Sequence, residues 1–203
     1  MTDYHKLSEL EGEDLVRTAR AVVKEFLKNN KNMKLSKEFE NNFSFNSGVF
    51  VTLNSYGGLR GCIGYPLPNE KLFVALADAA IAAATQDSRF PSVTAEELDK
   101  ITFEVTVLTP PSLIEVKNPL DYPSKIKVGR DGLIIKAGFN SGLLLPQVPQ
   151  EYGWNEEEFL NHTCEKAGLP RDCWKSKDTI IQKFEGVIFK EQSPNGKVIE
   201  VKL

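Results

Sequence analysis

Gly48-Val49-Phe50-Val51-Thr52-Leu53-Asn54 and Leu59-Arg60-Gly61-Cys62-Ile63-Gly64-Tyr65, joined by Ser55-Tyr56-Gly57-Gly58, read as a β-hairpin. β-Branched and aromatic residues fill the first arm, where they suit a pleated, half-buried surface. Two glycines make the turn, and Pro66 and Pro68 stop the second arm. A direct return of this kind pairs strands antiparallel, whereas parallel pairing needs a long crossover.

The flanking chain fits a sheet covered by helices. Residues 8–28 carry Leu15, Ala19, Val22, Val23, Phe26 and Leu27 at helical spacing. Ser8 and Glu11 have capping-box spacing, and Gly12 weakens the first turn. The polar segment 33–47 holds Phe39, Phe43 and Phe45 as expected anchors to the core. An Ala-rich helix is expected over 70–86, broken by Asp87-Ser88-Arg89-Phe90-Pro91, and Thr94 to Leu98 reads as a short capped helix. Ile101–Leu108 alternates Ile101, Phe103, Val105 and Val107 with Thr102, Glu104 and Thr106, the period of a strand.

Four prolines between Pro110 and Ser124 make a connecting loop. Short strands are then expected over 126–128, 133–136 and 142–145, the first two joined by Gly129-Arg130-Asp131-Gly132. A helix over 155–167 opens on Asn155 and closes at Gly168 and Pro170. Strands over 179–191 and 197–202 finish the chain. Hairpin connections in place of regular strand–helix–strand alternation predict an antiparallel α+β fold.

The chain has 203 residues, 41% of them hydrophobic and 26% charged, which suits one domain with a sizeable core. No run of 18 apolar residues predicts a membrane span, and no basic-then-apolar start predicts a secretory signal. The net charge is −3, with no dense cluster of Lys or Arg, so nucleic acid is not an expected partner. Three widely spaced cysteines argue against a disulfide framework and fit a cytoplasmic location. No phosphate-binding glycine loop, dinucleotide fingerprint or nucleophile elbow occurs, and no cofactor is expected.

The second arm of the hairpin carries the chemistry. In a regular strand Arg60 and Cys62 share one face, roughly 6.5–7 Å apart. A guanidinium that close would favour the thiolate. Gly61 and Gly64 mark a bulge or the close approach of a backbone or ligand. Leu59, Arg60, Gly61, Cys62, Ile63 and Gly64 are therefore the candidate ligand-binding residues. Cys62 is the candidate thiol, Arg60 its stabiliser or an anion clamp, and Glu104 a carboxylate that could pair with Arg60. The plain alternatives are a core cysteine and a solvated strand face. His162 and Cys164 stand two apart on a helix and cannot reach one metal, so no metal site is expected. Cys164 belongs with the apolar face of Phe159, Leu160 and Ala167, and His5 lies near the terminus, which disfavours a His-dependent triad.

These residues resemble the AMMECR family, whose six-residue hallmark stands here as Leu59-Arg60-Gly61-Cys62-Ile63-Gly64. Gly48 to Leu53, Asp87-Ser88-Arg89-Phe90, Glu104-Val105, Gly142 to Val148, Gly153-Trp154 and Cys164 to Leu169 extend the likeness over roughly residues 8–190. Tyr65 stands where the family often has Thr. The resemblance implies a single two-lobed domain over 1–203. Its larger lobe, 1–118 and 178–203, would hold a five-stranded antiparallel sheet, and its smaller lobe, 119–177, three short strands with helices. Motif side chains would point toward the cleft between lobes. No reaction is implied. The association of bacterial relatives with a Memo-type protein and a radical S-adenosylmethionine enzyme implies a role in a modification pathway. Two functions are expected on this basis: an enzyme or binder acting on a small molecule or peptide, or a non-enzymatic interaction module that uses the same cleft.

Overall fold

The structure, a computed structural model, describes residues 6–201. His5 and Lys202, the last residue expected in the final strand, lie outside the described residues. The described chain forms two compact units. The first holds residues 6–108 and 187–201, and the second holds 109–186.

In the first unit, Ser8 opens helix α1 (Glu9–Asn29) with the capping box read from its spacing. Ser8 Oγ accepts the Glu11 N–H, and the Glu11 carboxylate accepts the Ser8 N–H at 2.8 Å. Such a cap is worth about 1 kcal/mol. Gly12 is buried because the Phe189 ring lies where a Cβ would project, which explains a glycine in the first turn. Helix α2 (Lys37–Asn42) forms in the segment expected to be merely anchored. Six residues are too few to show a period, but Ser36 caps it and Phe39 and Phe43 are buried as anticipated.

Strands β1 (Val49–Ser55) and β2 (Gly58–Tyr65) are the expected hairpin, followed by α3 (Leu72–Thr85). The short helix expected from Thr94 is reduced to a turn and a 3-10 segment, Leu98–Lys100. Glu97 still accepts the Thr94 N–H, but it also binds Arg60, and the chain passes directly into β3 (Ile101–Leu108). The sheet order is β2-β1-β3, then the C-terminal part of β7 (Ile180–Glu191), then β8 (Val198–Val201). This is the expected five-stranded antiparallel set. Val49, Val51 and Leu53 of β1 and Ile101, Phe103 and Val105 of β3 are fully buried in a core shared with α1 and α3. The alanines of α3 allow that close approach.

A buried ion pair locks α1 to the sheet. Arg20 bonds the Glu191 carboxylate and the carbonyls of Leu98 and Ile101, while Glu191 also accepts the Phe103 N–H. Each nitrogen of Arg20 and each carboxylate oxygen of Glu191 has a partner, which the burial of the pair demands.

In the second unit the order is β6 (Asn140–Leu144), β5 (Asp131–Ala137), the N-terminal part of β7, then the two-residue β4 (Ser112–Leu113). The expected strand at 126–128 does not form. The N–H groups of Arg130 and Asp131 both bond the Lys127 carbonyl, and the buried Asp131 carboxylate takes the Lys127 N–H. This curls 127–131 into a turn, and the hairpin turn lies instead at Gly138-Phe139. Helix α4 (Gln147–Tyr152) ends on Gly153, and α5 (Glu156–Lys166) opens on the Asn155 capping box.

Cys164 and Cys173 are joined in a disulfide, against the expectation from cysteine number. The chain reverses at Gly168, where the Leu169 N–H bonds the Cys164 carbonyl, and brings the two Cα atoms to 6.0 Å. Cys164 is also fully buried among Phe159 and Leu160, as its helix face anticipated. No helix among the described residues is long and apolar enough to cross a membrane.

Candidate functional site

Register sets the site. Thr52 of β1 pairs with Cys62 of β2 on one side and with Glu104 of β3 on the other. Directly paired residues project to the same face of an antiparallel sheet. Cys62, Thr52 and Glu104 therefore form a row on the face opposite the core-facing Val51 and Leu53. Strand spacing places the backbones of Cys62 and Glu104 about 10 Å apart. All three side chains are half-buried.

The thiol is not activated as the regular-strand reading anticipated. Leu53 pairs with Gly61 and Asn54 with Leu59, so Arg60 is the extra residue of a β-bulge. Its side chain is turned to other partners. Nε and Nη2 bond the two carboxylate oxygens of Glu97, each at 3.1 Å. Nη1 donates to the Pro91 carbonyl at 2.8 Å, and Nη2 also to that of Ser92. Arg60 is 13% exposed and serves to pin the Pro91–Glu97 segment to β2. It pairs with Glu97 and not with Glu104, and four of its five N–H donors are already bonded, which leaves no fork to clamp an anion. The same pairing holds the Glu97 carboxyl below the usual range.

Asp87 and Arg89 take the place at Cys62 that Arg60 was expected to fill. The Cys62 N–H donates to Asp87 Oδ2 at 2.8 Å, and Arg89 Nη2 donates to the Cys62 carbonyl at 3.4 Å. The two side chains are joined to each other by Nε–Oδ1 at 2.9 Å and Nη2–Oδ2 at 2.7 Å. β2 ends the strand order, so its outer backbone groups lack a neighbouring strand. The carboxylate–guanidinium pair satisfies both groups of Cys62 and blunts that edge. The hydrogen bonds of Arg89 and of the Cys62 N–H hold the buried Asp87 carboxyl far below its usual range. Two cues for these residues stand in the sequence: an acid placed just where the alanine helix stops, and the Asx-turn spacing of Asp87 and Arg89.

Burial pushes the Cys62 thiol up, against smaller lowering effects from the Thr52 hydroxyl, which donates to Sγ at 3.2 Å, and from Arg89. Cys62 therefore rests as a neutral thiol. Burial likewise pushes the Glu104 carboxyl up, with Lys190 opposing. The Glu104 side chain makes no hydrogen bond or ion pair among the described residues. A half-buried carboxyl without a donor is costly to keep, and such groups concentrate at functional sites.

The glycines of the motif answer close approaches. A Cβ on Gly61 would stand 2.2 Å from the Ala83 carbonyl oxygen of α3, and one on Gly64 would enter the Phe50 ring. Leu59 is exposed at the bulge, and Ile63 packs against the core opposite Val51. A hollow of about 420 Å³ begins just past the motif, between Tyr65, Leu67, Glu70 and Asp78. Another of about 400 Å³, at Asp14, Ser36 and Asn42, contains no motif residue.

Among the described residues no group of three or more His, Cys, Asp and Glu is arranged to hold a metal. His162 bonds Glu165 at 2.7 Å and stacks on Trp154, while Cys164 is in the disulfide.

The AMMECR1 family model matches residues 16–189, and the chain belongs to that family. A protein of Methanothermobacter thermautotrophicus is 53% identical over 93% of this chain and 98% of its own length. Protein MJ0810 of Methanocaldococcus jannaschii is 53% identical over 95% of this chain and 96% of its own. The crystal structure of PH0010 from Pyrococcus horikoshii has a TM-score of 0.86 at 50% identity and covers 97% of this chain and 99% of that one.

Proposed function

We propose that this member of the AMMECR1 family binds a small molecule or peptide group on the sheet face of Cys62, Thr52 and Glu104. The observation that carries the proposal is Glu104: a half-buried carboxyl, raised by burial, with no donor among the described residues. A bound amine, amide or hydroxyl hydrogen would supply the missing bond. Thr52 stands between Glu104 and Cys62 in the row, so a group held by both would lie over its side chain.

The chemistry favoured is acid–base. A carboxylate whose pKa is raised by burial is a stronger base than a free surface carboxylate and is better suited to take a proton from a bound group. Cys62, neutral at rest, offers an S–H and a polarisable surface to the same group, and a ligand that brings positive charge would turn it toward the thiolate. Asp87, Arg89 and Arg60 hold the backbone on which this row stands.

A fragment library screened by saturation-transfer NMR tests the reading. Fragments bearing a hydrogen-bond donor should bind and lose at least about tenfold in affinity with Glu104→Gln. Cys62→Ala should weaken the same fragments. Fragments that bind both variants as they bind the parent would place the ligand site elsewhere.

A further inference from the structure

We infer that the second unit carries a docking surface for an arginine-bearing segment of a partner protein, built on a ladder of three aromatic rings. Trp154 is the middle rung. Tyr152 stacks on it with centroids 4.9 Å apart, and His162 with centroids 3.8 Å apart, each pair inclined by 17°. The rungs are held from below. Gly153 closes α4 in the left-handed region, the Trp154 N–H bonds the Pro149 carbonyl at 2.8 Å, and Asn155 caps α5. His162 is fixed by Glu165, which also takes Arg171.

Tyr152 ends the ladder and is 68% exposed, so one ring face is open. The open face of a rigid phenol ring suits a flat partner. Charge selects which one. From Ala137 to Glu165 the chain has five Glu and no Lys or Arg. Four of those carboxylates are engaged: Glu156 with the Val128 N–H at 3.5 Å, Glu158 in its cap, Glu165 with His162, and Glu157 with Lys175 at 3.8 Å. The side chain of Glu151, next to Tyr152 in the sequence, makes no hydrogen bond or ion pair among the described residues. A planar cation that lies on the Tyr152 ring and offers N–H groups to a carboxylate is a guanidinium. Lys, a compact and strongly hydrated charge, cannot stack in that way. One ring, with a single uncommitted carboxylate next to it in the chain, grips a single arginine weakly, so the natural occupant is an arginine within a peptide segment whose backbone adds contacts.

The test is titration of the full chain with acetylated, amidated Gly-Arg-Gly-Arg-Gly, with its lysine counterpart and with free L-arginine. The indole N–H signals of Trp154 and Trp174 are followed by NMR, and Trp174, bonded to Asn161, is the internal reference. The arginine peptide should move the Trp154 signal and bind about two- to fivefold tighter than the lysine peptide. It should also bind tighter than free arginine. Tyr152→Ala should remove that preference, while Phe139→Ala, an exposed ring elsewhere in the same unit, should keep it. Equal binding of the two peptides overturns the inference, as does an unchanged preference in Tyr152→Ala or no movement of the Trp154 signal at millimolar peptide. Free arginine binding as tightly as the peptide would remove the partner segment from it.

Discussion

The Asp87 carboxylate accepts the backbone N–H of Cys62 at 2.8 Å, across 25 residues of chain, and so ties the end of α3 to the edge strand β2. Asp87→Ala would leave that N–H and the Arg89 guanidinium without their acceptor. The expected cost is about 2–3 kcal/mol of unfolding free energy, measured by urea denaturation at neutral pH. The pH dependence has a definite sign. The folded carboxyl lies below its ordinary value of 3.8, so its contribution is full above that value and drains away as pH falls from there. Parent and variant should differ most at neutral pH and converge in acid. A gap that stays constant down to pH 2 would mean that Asp87 is not ionised in the folded protein.

Cys62 is the free thiol of the described residues, and it is expected to react slowly. Burial moves its titration above the ordinary 9.0, so the rate of iodoacetamide alkylation in the native protein should reach half its maximum above that pH. Arg89→Ala removes a lowering influence and should move the midpoint higher. Ellman's reagent in denaturant should count one thiol before reduction and three after, because Cys164 and Cys173 are paired. A midpoint near neutrality would show an activated thiolate and contradict the resting state assigned here.

Gly61→Ala should be more damaging than its single methyl suggests. The new Cβ would fall 2.2 Å from a backbone oxygen of α3, and backbone cannot swing aside as a long side chain can. Overpacking of this kind costs about 1–3 kcal/mol, and the change should appear as a lowered urea midpoint with the slope unchanged. Gly57→Ala, where nothing lies within 4 Å, supplies the contrast: any loss there comes from its positive φ and not from crowding.

What the sequence made legible follows from range. Local signals held: the Ser8 and Asn155 caps, the alternation of Ile101–Leu108, and the glycine turn between β1 and β2. Regular alternation puts Arg60 beside Cys62, but Arg60 is itself the extra residue of the bulge, and only the register with β1 reveals it. The Asp87–Cys62 bond and the Cys164–Cys173 bond depend on where distant segments land. Ile126-Lys127-Val128 has the composition of a strand, yet the buried Asp131 side chain captures its backbone and makes a turn. Glu104 was placed correctly on its strand face, but its lack of a hydrogen-bonding partner is a property of the surrounding side chains and has no sequence signature.

That lack makes Glu104→Gln the most informative substitution. A raised carboxyl means that ionisation is harder in the folded chain than in the unfolded one. Its contribution to stability is therefore full below the ordinary 4.5 and is lost as pH rises through the higher folded value. Glutamine cannot ionise, so Glu104→Gln should match the parent in acid and exceed it in stability at neutral pH. Lys190→Met, which removes an opposing positive charge, should widen the gap by pushing the carboxyl higher still. Thermal denaturation of the variants between pH 4 and pH 8 measures all three. A gain in stability on replacing Glu104, together with loss of fragment binding, would mark a group kept for what it binds and not for what it holds together. If Glu104→Gln instead lowers stability at neutral pH, the carboxylate has a structural donor, and the binding role proposed for the row loses its main support.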